Sequence, residues 1–128
     1  MKLLLDTCCW LWWLSDTKKL SQQQLEAISD RNNELFLSTA SIWEISIKVN
    51  NGKLTILQPL NKLVERECPI DNIKLLEIKP RHAIQAGNLV SHHKDPFDRM
   101  IITQANTNNL IIVTSDKIFQ KYNVSILV

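Results

Sequence analysis

The first apolar run of the chain is Lys2-Leu3-Leu4-Leu5-Asp6, and this stretch decides how the fold is interpreted. Three consecutive leucines followed by an acid are typical of a strand buried on both faces of a parallel sheet. Leu110–Thr114 is the most apolar run of the chain and predicts a second such strand. Shorter runs at Leu35–Ser38, Lys74–Ile78 and Val124–Leu127 predict the remaining strands, the last one at the edge of the sheet.

Helical patterns separate these runs. Ser21 and Gln24 have the spacing of a capping box, and Ser38 can cap a helix running from Thr39 to about Asn50, which Asn51-Gly52 ends. Further helices are predicted at Cys8–Leu14, from Pro59 to a stop at Cys68-Pro69, from Pro80 to about Ser91 and from Asp95-Pro96 to about Thr107. Alternating strands and helices predict an α/β fold, a three-layer α/β/α sandwich with a central parallel sheet.

Length and composition indicate one domain over residues 1–128. The chain is 45% hydrophobic and 22% charged, as globular domains are, and its net charge of +2 is too small to indicate a nucleic-acid partner alone. Asp6 interrupts the apolar start, and no run is long enough to cross a bilayer, so we expect a cytoplasmic protein without membrane association. The odd cysteine count, Cys8, Cys9 and Cys68, favours reduced core thiols.

Acidic residues recur where a parallel sheet binds ligands, beyond the carboxyl ends of its strands. Asp6 ends the first strand, and Asp116 follows the fourth by two residues. Glu44 lies in the helix after the second strand, within an unusually apolar stretch, and Asp98 lies in the first turn of the helix opened by Asp95. Converging carboxylates repel one another, and Mg²⁺ or Mn²⁺, which prefers oxygen ligands, would relieve this repulsion. The pattern therefore predicts metal-assisted hydrolysis of a phosphodiester.

Each acid also has a purely structural interpretation. Asp95 before Pro96 is a good helix cap, and Asp98 would complete a capping-box-like arrangement. Glu44 and Lys48 are four residues apart and could form a surface ion pair. Asp6 could simply end a strand, and Asp116 could be a turn residue.

Other residues could take part without being required. His92 and His93 precede Asp95 and are candidates for proton transfer or phosphate contact, and His82 is a weaker one. For the tryptophans, packing in the core or in a dimer is favoured over base stacking. These are Trp10, Trp12, Trp13 and Trp43. The basic residues that could contact RNA phosphates are Lys48, Lys53, Arg99 and Lys117.

The same segments resemble the PIN-domain toxins of bacterial toxin–antitoxin pairs. Leu4-Leu5-Asp6-Thr7 with Leu11-Trp12-Trp13 resembles the opening of these proteins. The stretch from Ser38 to Ile45, continued by Lys48 and Gly52-Lys53-Leu54, resembles their second acidic motif, and the stretch from His93 to Ile102 resembles their third. Val113-Thr114-Ser115-Asp116 resembles the fourth, so the likeness spans nearly the whole chain in the right order.

This resemblance implies a VapC-like endoribonuclease that depends on Mg²⁺ or Mn²⁺. It assigns the catalytic and metal-binding set to Asp6, Glu44, Asp98 and Asp116, and it makes Asp95 a cap or an outer-shell residue. It also implies an RNA substrate, a homodimer, and a small antitoxin protein that blocks the site. Cys8-Cys9 departs from the family, in which His and a small residue are frequent after Asp-Thr.

Three rival interpretations remain at this point. An aspartate-nucleophile phosphatase would need a second Asp two residues after Asp6, where Cys8 stands, and a receiver domain would need an adjacent acidic partner. The third is a non-catalytic PIN-like module that binds nucleic acid or protein after losing its acids. All four acids are present here, which favours the enzyme.

Overall fold

Parallel strands form the central sheet of the computed structural model, which describes residues 1–90 and 94–128. The strands are β1 (Lys2–Leu5), β2 (Glu34–Ser38), β3 (Ile73–Leu76), β4 (Ile111–Val113) and β5 (Ile126–Leu127). Their order is β3-β2-β1-β4-β5, and Leu4 lies opposite both Phe36 and Ile112. The chain extends the sheet first on one side of β1 and then on the other. A topological switch point therefore lies between β1 and β4, where open α/β sheets bind ligands.

Helices cover both faces of this sheet. They are α1 (Thr7–Ser15), α2 (Gln22–Ser29), α3 (Thr39–Asn50), α4 (Leu60–Lys62), α5 (Cys68–Ile70), α6 (Pro80–Asn88) and α7 (Pro96–Asn108). A π-helical turn, Leu63–Glu67, joins α4 to α5, and short 3₁₀ turns occur at Thr17–Lys19 and Lys117–Lys121. Among the helices of the described residues, none is long and apolar enough to span a bilayer.

The alternation of side chains along β1 divides the core into two layers. Leu3 and Leu5 pack on one face in a cluster that includes Trp10 of α1 and Ile45 of α3. Leu4 points to the other face, into a cluster that includes Ile101 and Ile102 of α7. All three leucines are fully buried. Burying such a side chain contributes about 1.5–3 kcal/mol. The predicted α/β/α sandwich with a central parallel sheet is confirmed.

The helix-end signals predicted from the sequence are present. Ser21 and Gln24 form both hydrogen bonds of a capping box ahead of α2. The Ser38 hydroxyl accepts a hydrogen bond from the Ala40 N–H at 3.0 Å and caps α3, which begins and ends as expected. Gly52, just beyond α3, has φ +77°, a conformation that favours glycine. These short signals place α3, and so Glu44, in a defined position on the sheet.

Two predicted helix ends are wrong. The helical segment after Pro59 does not stop at Cys68-Pro69, because both residues lie inside α5. A proline in the first turn of a helix gives up no hydrogen bond, and the π-helical turn before it has already changed the hydrogen-bond pattern. Helix α6 ends at Asn88 rather than near Ser91, which itself lies outside the described residues.

Candidate active site

Two neighbouring strands deliver the first pair of acids to the switch point. The Asp6 N–H continues the sheet by donating to the Val113 carbonyl at 3.0 Å, while the Asp6 side chain caps α1 by accepting from the Cys9 N–H at 2.7 Å. Asp116 follows β4 and accepts a hydrogen bond from the Ile118 N–H at 3.0 Å. Both acids therefore cap the helical turn that follows them, and this fixes their position at the strand ends.

Glu44 comes to the same edge from the second turn of α3 and is 5% exposed. The Thr7 hydroxyl donates to Glu44 Oε1 at 2.7 Å and lies 2.9 Å from Ser41 Oγ. Lys48 Nζ lies 2.9 Å from Glu44 Oε2. The i,i+4 pair considered from the sequence thus exists. It is not an ordinary surface pair, because the Glu44 side chain is buried.

Helix α7 brings two further acids, with different roles. Asp95 caps the helix, since its Oδ1 accepts from the N–H groups of Phe97 at 2.8 Å and of Asp98 at 3.3 Å. The capping interpretation of Asp95 is confirmed. Asp98 lies in the first turn of α7 and is partly buried.

All four predicted acids line one cavity of about 340 Å³, which we call the acid cavity. They come from β1, α3, α7 and the segment after β4, so the tertiary fold unites residues that are far apart in sequence. The other residues that line it are Thr7, Cys8, Trp12, Lys48, Asp95, Ser115 and Phe119.

Burial, with a smaller effect of neighbouring carboxylates, raises the pKa of two acids of the acid cavity, Asp98 and Asp6. Burial raises the pKa of Asp98 to about 8, and the charges of Asp95, Glu44, Asp6 and Asp116 add to this effect. Burial also raises the pKa of Asp6, although hydrogen bonds from Thr114 and Cys9 partly oppose the shift. Placing several negative charges together disfavours ionisation, and a bound cation would favour it.

The donor set suits a hard divalent cation. Among residues 1–90 and 94–128, no three His, Cys, Asp or Glu side chains are already arranged to hold a metal ion. Five carboxylates nevertheless line the acid cavity, and carboxylates are the ligands that Mg²⁺ and Mn²⁺ prefer. A cation bound among them would favour the ionised forms of Asp6 and Asp98, whose pKa values burial raises.

Hydroxyl groups support two of the carboxylates. Thr7 hydrogen-bonds Glu44, and Thr114 hydrogen-bonds Asp6, so these hydroxyl groups orient the two carboxylates. Ser41 was missed, because a serine one helical turn before Glu44 has no distinct sequence signal.

Several other candidates lie elsewhere. The Arg99 guanidinium donates to the carbonyls of Ala86 at 3.0 Å and Leu89 at 2.7 Å, so it holds the end of α6 rather than facing phosphate. His82 is buried, and its Nδ1 accepts from the Lys79 N–H at 3.0 Å, so it supports the start of α6. His92 and His93 lie outside the described residues.

Cys8 is the one cysteine whose expected place is wrong. Cys9 and Cys68 are buried thiols, as predicted, whereas Cys8 is exposed and lines the acid cavity. The cause is the helical turn that starts at Thr7, which sends consecutive side chains in different directions. The sequence signal that could have placed Cys8 at the site is its position directly after Asp6 and Thr7.

Comparison with known proteins agrees with this fold. The sequence matches the PIN domain family over residues 3–124. No curated protein sequence matches the chain closely enough to show a relationship.

Solved structures share the fold at low identity. The chain is similar to one from VapBC2 of Rickettsia felis bound to a promoter DNA fragment (14% identity, TM-score 0.71, covering 99% of this chain and 98% of that one). It is also similar to chains from DNA-bound VapBC of Salmonella typhimurium (19%, 0.71, 99% and 97%) and from VapBC-1 of nontypeable Haemophilus influenzae (18%, 0.69, 99% and 97%). With the family match extending over nearly its whole length, the chain belongs to the PIN domain family.

Proposed function

We propose that this chain is a metal-dependent endoribonuclease that hydrolyses RNA phosphodiester bonds as the toxin of a toxin–antitoxin pair. The observation that carries the proposal is the acid cavity, in which Asp6, Glu44, Asp98 and Asp116 meet at the switch point of the sheet. Membership of the PIN domain family supports a nuclease.

In this proposal each carboxylate has a defined task. Asp6, Asp98 and Asp116 hold Mg²⁺ or Mn²⁺ directly or through water, and Glu44 holds a second ion or positions the attacking water. A bound divalent cation would supply a nucleophilic water and orient the phosphate. Thr7 keeps Glu44 oriented through its 2.7 Å hydrogen bond, and Thr114 does the same for Asp6. Burial raises the pKa of Asp98, and a cation held there would favour its ionised form.

The proposal extends to partners and location. The fold likeness to VapBC complexes supports a small antitoxin protein as the partner that blocks the acid cavity. We further propose that residues 1–128 act as one PIN-like domain, that two copies form a homodimer, and that the protein works in the cytoplasm. Size-exclusion chromatography with light scattering tests the dimer directly.

The test of the nuclease is cleavage by the purified chain, free of antitoxin, of a panel of structured RNAs with Mg²⁺, Mn²⁺ or EDTA. The same panel made as DNA identifies the sugar requirement. Cleavage of RNA should need the metal and be lost in Asp98→Asn. Cleavage by Asp98→Asn at the native rate would contradict the site assignment.

The alternative is a non-catalytic PIN-like module that binds nucleic acid or protein. The retained acids argue against it, because a binding module has no use for a cavity lined by five carboxylates. Calorimetric titration with Mn²⁺ separates the two. A well-folded chain that cleaves nothing in the panel and binds no Mn²⁺ would favour the module.

A further inference from the structure

Trp43 is an exposed aromatic side chain immediately before a buried acid. It is 62% exposed, whereas Trp10 is fully buried and Glu44, the next residue, is 5% exposed. Of the two kinds of packing expected of the tryptophans, in the core or in a dimer, its exposure contradicts the first for Trp43. Tryptophan is enriched at surfaces that contact a ligand or a partner, because its ring combines a large apolar area with a polar N–H group.

Phe97 of α7 holds this indole in place from the side. The two ring centroids lie 5.3 Å apart with an interplanar angle of 80°, an edge-to-face pair. Phe97 directly precedes Asp98 in the first turn of α7. The aromatic pair thus bridges the two helices that deliver Glu44 and Asp98, while most of the Trp43 surface stays accessible.

A second cavity of about 250 Å³ lies beside this aromatic pair and continues into the acid cavity. Its lining includes Phe97, Asn51 and Lys53, and it shares Glu44, Lys48 and Asp95 with the acid cavity. It is smaller than the ~300–1,000 Å³ pockets that take drug-sized ligands, and so suits one nucleotide unit.

The second cavity adjoins the aromatic pair through Phe97, and its lining carries two lysines, Lys48 and Lys53, together with two carboxylates, Glu44 and Asp95. Aromatic rings stack on nucleobases of any sequence, and lysines contact the phosphates between them. Lys53 is exposed, and the Lys48 side chain is 45% exposed although it pairs with Glu44. This combination matches a single-stranded nucleic acid segment.

We propose that Trp43, supported by Phe97 beside the cavity that Lys48 and Lys53 line, forms a subsite that stacks one base of the RNA next to the bond to be cleaved. This inference rests on the proposed ribonuclease function and deepens it. It names Trp43 as a residue that binds substrate, and the second cavity as the place of the adjoining nucleotide.

The experiment measures binding of a labelled single-stranded RNA by fluorescence anisotropy with Mg²⁺, in the Asp98→Asn background so that the RNA stays intact. Trp43→Ala should weaken binding roughly tenfold or more, the usual effect of losing one stacked base, and Trp43→Phe should retain most of the affinity. Ile84→Ala is the matched control, because Ile84 is 66% exposed on α6 and lines neither cavity; it should bind as its parent does.

A scan of abasic positions along the RNA tests for stacking directly, because its result would not depend on Trp43 if this residue had only a structural role. One abasic position should weaken binding to the protein with Trp43 but leave binding to Trp43→Ala unchanged. Lys53→Gln should reduce the salt dependence of binding by about one ion. RNA binding should also quench tryptophan emission, and the part due to Trp43 should be absent in Trp43→Phe.

Three outcomes would overturn the subsite. They are equal RNA binding by Trp43→Ala, no RNA binding by the parent, and dissociation of a dimer by Trp43→Ala, which would make Trp43 a contact between copies. The first of these outcomes, together with metal-dependent RNA cleavage by the unmutated chain, removes the subsite but leaves the nuclease. Trp43-dependent RNA binding without cleavage by the unmutated chain supports the subsite and removes the nuclease.

Discussion

The two ends of the parallel sheet hold acids in opposite ways. At the amino end, Glu34 lies 3.0 Å from Lys74 and 3.9 Å from Lys2, and its side chain is 44% exposed. The hydrogen bond with Lys74 lowers the pKa of Glu34. At the carboxyl end, burial and neighbouring carboxylates raise the pKa of Asp98 to about 8.

This contrast shows that burial and charge balance, and not acid content, distinguish a candidate site from ordinary surface. Glu34 is solvated and neutralised by two lysines, so it needs no further partner. Asp98 shares the acid cavity with four other acids and one lysine, Lys48. A cation bound at the carboxyl end would therefore favour the ionised form of Asp98, as Lys74 already does for Glu34 at the amino end.

The largest expected difference between the two ends is in catalysis. Asp98→Asn should reduce metal-dependent RNA cleavage at least about 100-fold, because even residues that only support metal ligands cost 10- to 100-fold. Glu34→Gln, the matched change at the amino end, should leave the rate within about twofold, because Glu34 lies away from the acid cavity. The measurement is the steady-state rate at which each variant cleaves the same RNA. Equal losses of rate in the two variants would contradict the expected difference between the two ends of the sheet.

The stabilisation that a bound metal ion gives should depend on the acids at the carboxyl end of the sheet and not on Glu34 at the amino end. At a hundredfold excess over Kd, an ion that binds only the folded chain adds about 2.7 kcal/mol to the free energy of unfolding. Mn²⁺ should therefore raise the Tm of the unmutated chain and of Glu34→Gln, and much less that of Asp98→Asn. Differential scanning fluorimetry with and without EDTA measures this. A uniform rise in all three proteins would place the ion elsewhere.

In EDTA, the pH dependence of stability should single out Asp98. Its pKa is about 8 when folded, against an ordinary 3.8, so the folded state holds this proton more tightly. The resulting stabilisation is complete below about pH 4 and is lost as the pH rises to about 8. As the pH rises over this range, the free energy of unfolding of Asp98→Asn should therefore increase relative to that of the unmutated chain, by ~1–2 kcal/mol after allowance for partial exposure. Parallel Tm curves for the two proteins would contradict the raised pKa.

The smallest effects are expected for the lysine partners of the two acids. Lys48→Met leaves the buried Glu44 without its 2.9 Å partner and should lower the free energy of unfolding by ~1 kcal/mol. Lys74→Met removes a pair of similar length at an exposed acid and should change Tm by less than about one degree. Urea unfolding of both variants in EDTA tests this. A larger loss for Lys74→Met would mean that burial does not govern these pairs.

Local sequence signals carried much of the fold. The capping box at Ser21, the cap at Ser38 and the Asp95-Pro96 helix start were all readable from short patterns and are present in the structure. Cys68-Pro69 led to a wrong helix end. This pair normally predicts that a helix stops, but here a π-helical turn precedes it and the helical segment continues. The sequence contains no recognisable pattern for that turn. The four acids were predicted to meet because strand ends share one edge of a parallel sheet.

The sequence alone determined the parallel sheet, the caps of α2, α3 and α7 and the identity of the four acids that meet, because these depend on local hydrogen bonding and on side-chain periodicity. Only the tertiary structure decided which neighbours each acid has. It buries Glu44 against Thr7 and Lys48, turns Arg99 towards the end of α6, and leaves Cys8 and Trp43 exposed. Burial and charge balance depend on contacts between residues distant in the chain, which no local pattern specifies.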